Sequence, residues 1–449
     1  MSVHRVLTIA GSDSGGGAGI QADLKTIAAL GGFGMTVVTA LTAQNTLGVH
    51  GIHETPPDFV AKQFDAVAED IGIDGAKTGM LASPEIIGVV AEKIVQHQIK
   101  KLVVDPVMVA KGGAMLIRED AKTTLIERLL PLSYMVTPNI PEAEVLSGRS
   151  IDNEDDMKKA AQAIYGMGAQ NVLIKGGHLS GDACDIFYDG VRFHEFSAER
   201  ISTEDTHGTG CTTSAAIATG LAQGLSAFEA VARAKRYITM AIRFSLRIGA
   251  GHGPTNHMAM LFRECDRYRC VKELRDAVET LKNAKCGNLI PEIQSNFVYA
   301  LPYALDRTDV AGVPGRIVRV GEKAETLHDP DFGASSHVAR IVLTAMKYDG
   351  LYRSAIDIRF SEEIIAVCRE LGYEVDSFDR ADEPDDVKER EGSSLEWGTA
   401  EVLSKRTGIP DMIFDRGDVG KEPVIRVLGK TPAEVVEKVL RLSNRLRSM

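Results

Sequence analysis

Moving a phosphoryl group takes backbone amides that close on an anion, a cation to neutralise it, and a group near the attacking hydroxyl. The string Thr206-His207-Gly208-Thr209-Gly210-Cys211-Thr212 is a glycine-rich turn opening an alanine-rich helical pattern. Its glycines let the backbone approach a bound group. The free N–H groups of the new helix then point at that group and favour negative charge, which makes Thr206, Gly208 and Gly210 an anion hole. Cys211 falls in the first turn. The helix field is expected there to lower the thiol pKa and leave a thiolate able to take a hydroxyl proton. Lys175, at a strand end beside Gly176-Gly177, can neutralise phosphate. Asp105 and Glu142 can hold Mg²⁺ directly or through water. No G-x-x-x-x-G-K-[ST] string occurs, so phosphate transfer here uses a scaffold other than a P-loop.

Elements able to position these residues are legible in order. Arg5–Gly11 reads as a buried strand, followed by the glycine-rich SDSGGGAG loop and a helix. Met35–Asn45 reads as a second buried strand, Gly75–Leu81 as a short one with a polar end, and Lys101–Ala110 as another with Asp105 at the break made by Pro106. Ser83 caps a helix with Pro84 at its first position. NVLIKGGH is a strand, and CDIFYDGVRFHEF alternates around Asp189-Gly190 as a hairpin does. Strands alternating with helices imply βαβ units and a parallel sheet covered on both faces. Asp13, Asp23, Gln44, Met80, Asp105, Asn139 and Lys175 are then expected at one carboxyl edge, where open α/β sheets bind ligands.

After Gly253-Pro254 the pattern changes, and a second α/β unit starts within the next twenty residues. Its landmarks are a strand over Gly315–Gly321, a Gly333-Ala334-Ser335-Ser336 turn into a helix with His337 in its first turn, and an acidic loop over Glu374–Glu391. A chain of 449 residues fits two or three domains, and we divide it at 1–257, a linker or bridging helix at 258–274, and 275–449. A net charge of −11 argues against a broad nucleic-acid or membrane-surface patch. Six irregularly spaced cysteines are no disulfide framework and point to a reducing, cytoplasmic setting. No apolar run reaches the ~18 residues of a membrane span, and the first ten residues run into a strand pattern and do not read as a signal peptide.

The strings TIAGSDSGGGAGIQADLKT, GAKTGML, VVDPVMVAKGG, TPNIPEAEVLSG, IKGGH and DTHGTGCT resemble, in that order, the motifs of hydroxymethylpyrimidine/phosphomethylpyrimidine kinases, over residues 1–255. The resemblance implies a ribokinase-like three-layer α/β/α domain. It also implies two ATP- and Mg²⁺-dependent phosphorylations of 4-amino-5-hydroxymethyl-2-methylpyrimidine at one site. It places Asp23 and Gln44 on the pyrimidine, with Gly11, Met80 and Val107 around it. It assigns Asp105, Asn139 and Glu142 to metal and phosphate waters, Lys175 to ATP phosphate, and Cys211 to the base. Pyridoxal kinases share the fold and are the nearest alternative; the GSDSGGGAGIQADLKT string and Gln44 favour the pyrimidine.

The strings AGVPGRIVRVG, DPDFGASSHVARIVLTA, RSAIDIRFSEEII, DRADEP, GSSLEWG and DRGDVGKEPVIRVLGKTP resemble the thiamine-phosphate synthase domain fused to this kinase, largely in archaea. That implies a second, smaller α/β domain joining the pyrimidine diphosphate to a thiazole phosphate. Arg316 and His337 become its essential residues. Ser335 and Ser336 form a phosphate cradle, and Lys421 a further anion site. Asp357 stands where the family more often has an uncharged residue. A non-catalytic thiamine-phosphate sensor is the alternative for this half. The expected partners are small molecules and further copies of the chain in a homo-oligomer, with neither nucleic acid nor membrane.

Overall fold

The computed structural model describes residues 3–108, 119–177, 179, 181–384, 394–418 and 420–449. It divides into two compact units, Met1–Leu261 and Phe262–Met449.

In the first unit an eight-stranded sheet runs in the order Phe193–Ala198, Ala183–Tyr188, Val172–Ile174, Met135–Val136, Leu102–Val104, Gly75–Thr78, His4–Ala10, Gly32–Val38. Six neighbouring strands are parallel, and the hairpin around Asp189-Gly190 adds an antiparallel edge. Successive side chains alternate between the faces. Leu7, Ile9, Leu102, Val104 and Val136 enter one core, with the helices Pro57–Asp70, Pro84–Gln96 and Glu154–Tyr165. Val6, Val103, Met135 and Leu173 enter the other, with Thr209–Ala222 and Ala227–Arg243. The result is a three-layer α/β/α domain. Every residue from Thr212 to Ala222 is buried, which is why that stretch carries only small residues with Ile217 and Leu221 and has no charged face.

The expected strand Met35–Asn45 is two strands in different sheets. The chain leaves the main sheet at Thr39, whose N–H donates to Ala10 O. Ala40–Asn45 then pairs antiparallel with Gly48–Glu54, with a bulge between Ala43 and Gln44. No turn residue marks the change, so periodicity alone does not reveal it. Asp23 is not at a strand end but inside the helix Gly19–Ala29.

The second unit is also three-layered, around a seven-stranded, largely antiparallel sheet. Its order is Asp331–Phe332, Val310–Gly312, Phe297–Ala300, Ser354–Arg359, Val424–Gly429, Met412–Asp415, Val375–Ser377. The helices His337–Tyr348 and Ser394–Ser404 cover one face; Glu362–Glu370 and Pro432–Arg447 cover the other. One helix occupies Ala259–Lys282. The strand expected at Gly315–Gly321 is the first arm of a separate hairpin, Ile317–Val320 against Lys323–Thr326. Of the expected acidic loop, Val375–Ser377 is a strand, and 385–393 lie outside the described residues. Among the described residues no helix is long and apolar enough to cross a membrane.

Lys175 is aimed by a backbone approach only glycine permits. Gly176 N–H donates to Asp185 Oδ1 at 2.9 Å, and a Cβ on Gly176 would sit 1.7 Å from Cys184 O. Gly176→Ala is therefore expected to cost about 2 kcal/mol or more in chemical denaturation. Gly177→Ala, whose Cβ meets nothing within 4 Å, should stay within about 0.5 kcal/mol of the parent.

Candidate active site

A cleft of about 630 Å³ opens at the carboxyl ends of the parallel strands. Its rim begins with Asp13. One oxygen accepts the N–H of Gly15 at 2.8 Å; the other accepts Gly17 at 3.0 Å, Ala18 at 2.7 Å and His207 Nε2 at 2.9 Å. Burial pushes this carboxyl up, but those donors outweigh it and hold it below the usual carboxylate range. The clamp brings the SDSGGGAG loop against the start of the helix Thr209–Ala222. Gly208 is left-handed at φ +81°, and a Cβ there would stand 1.9 Å from Gly17 O.

Beyond Gly208 the helix start faces a cation. Lys175 Nζ lies 2.9 Å from Asp105 Oδ1, and a Cβ on Gly210 would be 3.4 Å from both Lys175 Nζ and Asp105 Oδ2. Burial opposes the charge on Lys175, but Asp105 and Glu142 outweigh it and raise its pKa. Glu142 is buried and pushed up to about 7 by that burial, with Asp105 adding to the rise and Lys175 opposing it. Glu142 and Asn139 cap the helix Ile140–Ser147 reciprocally: Glu142 Oε2 accepts Asn139 N–H at 2.8 Å, and Asn139 Oδ1 accepts Glu142 N–H at 2.9 Å. The Asn139 side-chain oxygen, expected as a metal ligand, accepts one hydrogen bond in this cap and keeps a second lone pair. Among the described residues no group of three or more His, Cys, Asp or Glu converges on a metal position. The pair Asp105 and Glu142 still suits Mg²⁺, which commonly takes one or two carboxylates, waters and substrate phosphates.

Two further expectations need correction. Cys211 lines the cleft but is no resting thiolate. Burial pushes its thiol up to about 11, and Asp23 and Asp105 add to the rise; Lys77 and the N–H of Gly19 oppose it without reversing it. Desolvation wins over the helix field. Asp23 does not face the cleft. It is fully buried, with both oxygens on Lys77 Nζ at 3.0 and 3.1 Å and one also accepting Thr8 Oγ1 at 2.6 Å. Lys77 Nζ lies 3.2 Å from where a Cβ on Gly79 would be, so the pair sits under the floor that Gly79 contributes. Gly11, Gln44, Met80 and Val107 line the cleft beside Thr206, Gly208 and Gly210. The sequence reading missed Lys77 and the pairing of Asp13 with His207. A lysine inside a four-residue strand that is buried throughout was the available signal.

In the second unit Arg316 is left-handed at φ +65° after Gly315 at +73°, and its guanidinium donates to Ile293 O. The Ile293 and Glu292 amides donate to Glu422 at 2.8 and 3.0 Å, which joins Arg316 to the turn carrying exposed Lys421. Buried Ser335 packs on Gly312, where a Cβ would lie 3.0 Å from its Cβ and 3.2 Å from Asn296 Oδ1. Ser336 is the N-cap residue of the helix His337–Tyr348, without a side-chain cap bond, and His337 opens that helix at the surface. Asp357 accepts the Asn296 N–H; burial pushes its carboxyl up to about 6, against Asn296, Arg426 and Arg316. Fully buried Arg426 pairs with Asp415 at 2.5 Å, and Arg380 meets the same carboxylate at 2.7 Å.

A largely parallel sheet between helix layers, with a glycine turn and a helix start facing Lys175 at its carboxyl edge, defines a ribokinase-like α/β domain. The chain belongs to the phosphomethylpyrimidine kinase family, whose model matches residues 13–256. Residues 273–441 match the model of thiamine-phosphate synthase ThiN. The thiamine biosynthesis bifunctional protein ThiED of Geobacter sulfurreducens is 60% identical over 254 residues, 56% of this chain and 52% of that protein. The chain thus spans about half of ThiED's length. The hydroxymethylpyrimidine/phosphomethylpyrimidine kinase of Bacillus subtilis is 51% identical over 261 residues, 58% of this chain and 96% of that protein. Among solved structures, the ADP complex of Bacillus subtilis pyridoxal kinase is 42% identical with a TM-score of 0.55, covering 58% of this chain and 99% of that one.

Two measurements follow. Site-resolved mass spectrometry of iodoacetamide labelling should show Cys211 alkylation rising toward pH 11. At pH 7.5 it should be roughly a hundredfold slower than for an ordinary thiol; an inflection below pH 9 contradicts the burial argument. Asp357 binds its proton more tightly when folded, so its contribution to stability falls as pH rises from about 4 to about 6. Asp357→Asn, which keeps the acceptor for Asn296, should be more stable than the parent at pH 7 by about 1–2 kcal/mol and equal to it near pH 4.

Proposed function

We propose that the first unit phosphorylates 4-amino-5-hydroxymethyl-2-methylpyrimidine and then its monophosphate, using ATP, and that the second couples the resulting diphosphate to a thiazole phosphate, giving thiamine phosphate. The observation carrying the first half is the meeting of Lys175, Asp105 and Gly210 at one helix N-terminus, within the cleft that also holds Gln44. The second half rests on the match of residues 273–441 to the thiamine-phosphate synthase model and on the Arg316 cluster.

Phosphoryl transfer passes through a loose transition state, so catalysis is mainly positioning and charge stabilisation. Lys175 and the amides at Gly208–Gly210 meet the charge spreading over the equatorial phosphoryl oxygens. Asp105 and Glu142 would hold Mg²⁺, which supplies further neutralisation between phosphates when bound. Gln44 orients the pyrimidine so that its hydroxymethyl group faces the anion hole. Cys211 takes the hydroxyl proton. A base whose thiol ionises near 11 is almost wholly protonated at neutral pH, so the rate is limited by its small thiolate fraction. In the second unit Arg316 receives the departing diphosphate, a task its planar fork suits. All six cysteines are free, which fits a reducing, cytosolic setting. A pyridoxal-type substrate is the competing reading for the first unit, since the solved relative named above is a pyridoxal kinase.

Mass spectrometry of the purified chain with ATP, Mg²⁺, the pyrimidine alcohol and thiazole phosphate should show mono- and diphosphate first and thiamine phosphate after. Diphosphate without coupling, together with tight binding of thiamine phosphate, would make the second unit a sensor. Pyridoxal as the faster substrate would overturn the first half. With Cys211 as base, kcat/KM should climb about tenfold per unit between pH 7 and 9, and Cys211→Ala should lose both that slope and at least a hundredfold in kcat. A flat parental profile removes the base role.

A further inference from the structure

The terminal atoms of the Gln44 amide differ only in their hydrogens, and their neighbours decide which is oxygen. As placed, the nitrogen lies 3.3 Å from His207 Nε2 and the oxygen 3.3 Å from Thr42 Oγ1, and exchanging the two leaves the shape of the side chain unchanged. His207 Nε2 is also 2.9 Å from Asp13 Oδ2, and that oxygen is an acceptor that already receives the N–H groups of Gly17 and Ala18. Nε2 therefore carries a proton, whether the ring is neutral or charged. An amide nitrogen facing it would set two N–H donors against each other. The end toward His207 has to be oxygen.

The other end gives the same answer independently. Thr42 Oγ1 has one proton, and its closer partner is Ser12 O at 2.9 Å. With that proton committed, Thr42 Oγ1 meets Gln44 as an acceptor, so the end facing it has to be the NH₂ group.

We infer that His207 and Thr42 are positioning residues that lock the Gln44 amide in one orientation, oxygen toward His207 and nitrogen toward Thr42, and so set the donor–acceptor pattern the cleft accepts. Each end keeps spare capacity, one lone pair on Oε1 and one proton on Nε2. Together they match a ring carrying an amino donor next to a ring-nitrogen acceptor, as when an amide reads an aminated base edge-on. A ring with an oxo group beside a protonated nitrogen has the opposite pattern, and both contacts fail at once. A pyridine bearing its hydroxyl away from the ring nitrogen has no adjacent pair. The substrate consequence rests on the proposed pyrimidine kinase activity; the orientation itself does not.

The test has two arms. In the first, the full chain is assayed with the aminopyrimidine alcohol and its 4-oxo analogue. The parent should favour the amino compound by about a hundredfold or more in kcat/KM, since a buried polar pair left unmatched is costly. Thr42→Val removes one of the two anchors, so turning the amide to meet the oxo ring then costs only the clash at His207. That preference should then fall at least tenfold, through KM with kcat within threefold, and Thr42→Ser should restore it. An unchanged preference in Thr42→Val, or Thr42→Ser behaving like Thr42→Val, overturns the inference. In the second arm, the Gln44 side-chain amide is observed by ¹⁵N NMR in the unliganded protein and assigned through Gln44→Glu. Stronger nuclear Overhauser contacts from its protons to the Thr42 methyl than to the His207 ring are expected, and the reverse overturns the inference. Should the parent phosphorylate neither ring, the substrate reading fails while the NMR arm still decides the orientation.

Discussion

The first unit hangs on the four hydrogen bonds accepted by Asp13. Three come from consecutive parts of one glycine-rich loop and the fourth from His207, almost two hundred residues away in sequence. A carboxylate with that many donors stays ionised, and an ionised carboxylate dictates where its neighbours keep their protons. The consequences run outward. The loop is pinned against Gly208, whose left-handed backbone leaves no room for a side chain beside Gly17. The helix start is thereby set opposite Lys175. The His207 proton is committed, which in turn settles which end of Gln44 accepts.

Charge balance governs the rest of the cleft. Two lysines, Lys77 and Lys175, sit among three acids, Asp23, Asp105 and Glu142, with little water between them. Each lysine has a direct carboxylate partner, and burial, with Asp105 adding to it, pushes the third acid, Glu142, up to about 7. Cys211 is raised chiefly by burial, with Asp23 and Asp105 adding to it, which is why Lys77 and a helix terminus do not make it a thiolate. The buried Lys77–Asp23 pair contributes little net stability, since desolving both ions offsets their attraction. What it contributes is location, a fixed positive charge under a floor made thin by Gly79.

The alternation of strands and helices was legible because buried strands and amphipathic helices have different periods, and both units follow them. Thr39 was not: Met35–Asn45 is an uninterrupted run of strand-forming residues, and only the hydrogen bond to Ala10 shows where it changes sheets. Asp23 was misassigned as a contact residue, although its neighbours carried the correction. Ala22, Asp23, Thr26 and Ile27 form the buried stripe of their helix, so an acid there needs an internal cation, and Lys77 in an all-buried strand needs an internal anion. Reading the two together predicts the pair. Cys211 failed differently: a helix-terminus argument fixes the sign of one field and is silent about the desolvation competing with it.

In the second unit backbone strain is concentrated in one turn. Two successive left-handed residues, Gly315 and Arg316, turn the chain sharply before Ile317–Val320, and only the first is glycine. An arginine held at φ +65° persists where its surroundings fix it, and Ile293, Glu422 and the nearby Asp357 do so. Asp357 is the telling member. Burial pushes its carboxyl up to about 6, and the arginines nearby do not offset this, because buried Arg426 is already paired with Asp415. Burial thus outweighs Asn296, Arg426 and Arg316 at this position, so the packing around the strand Ser354–Arg359, and not the sign of its neighbours, decides how tightly Asp357 holds its proton.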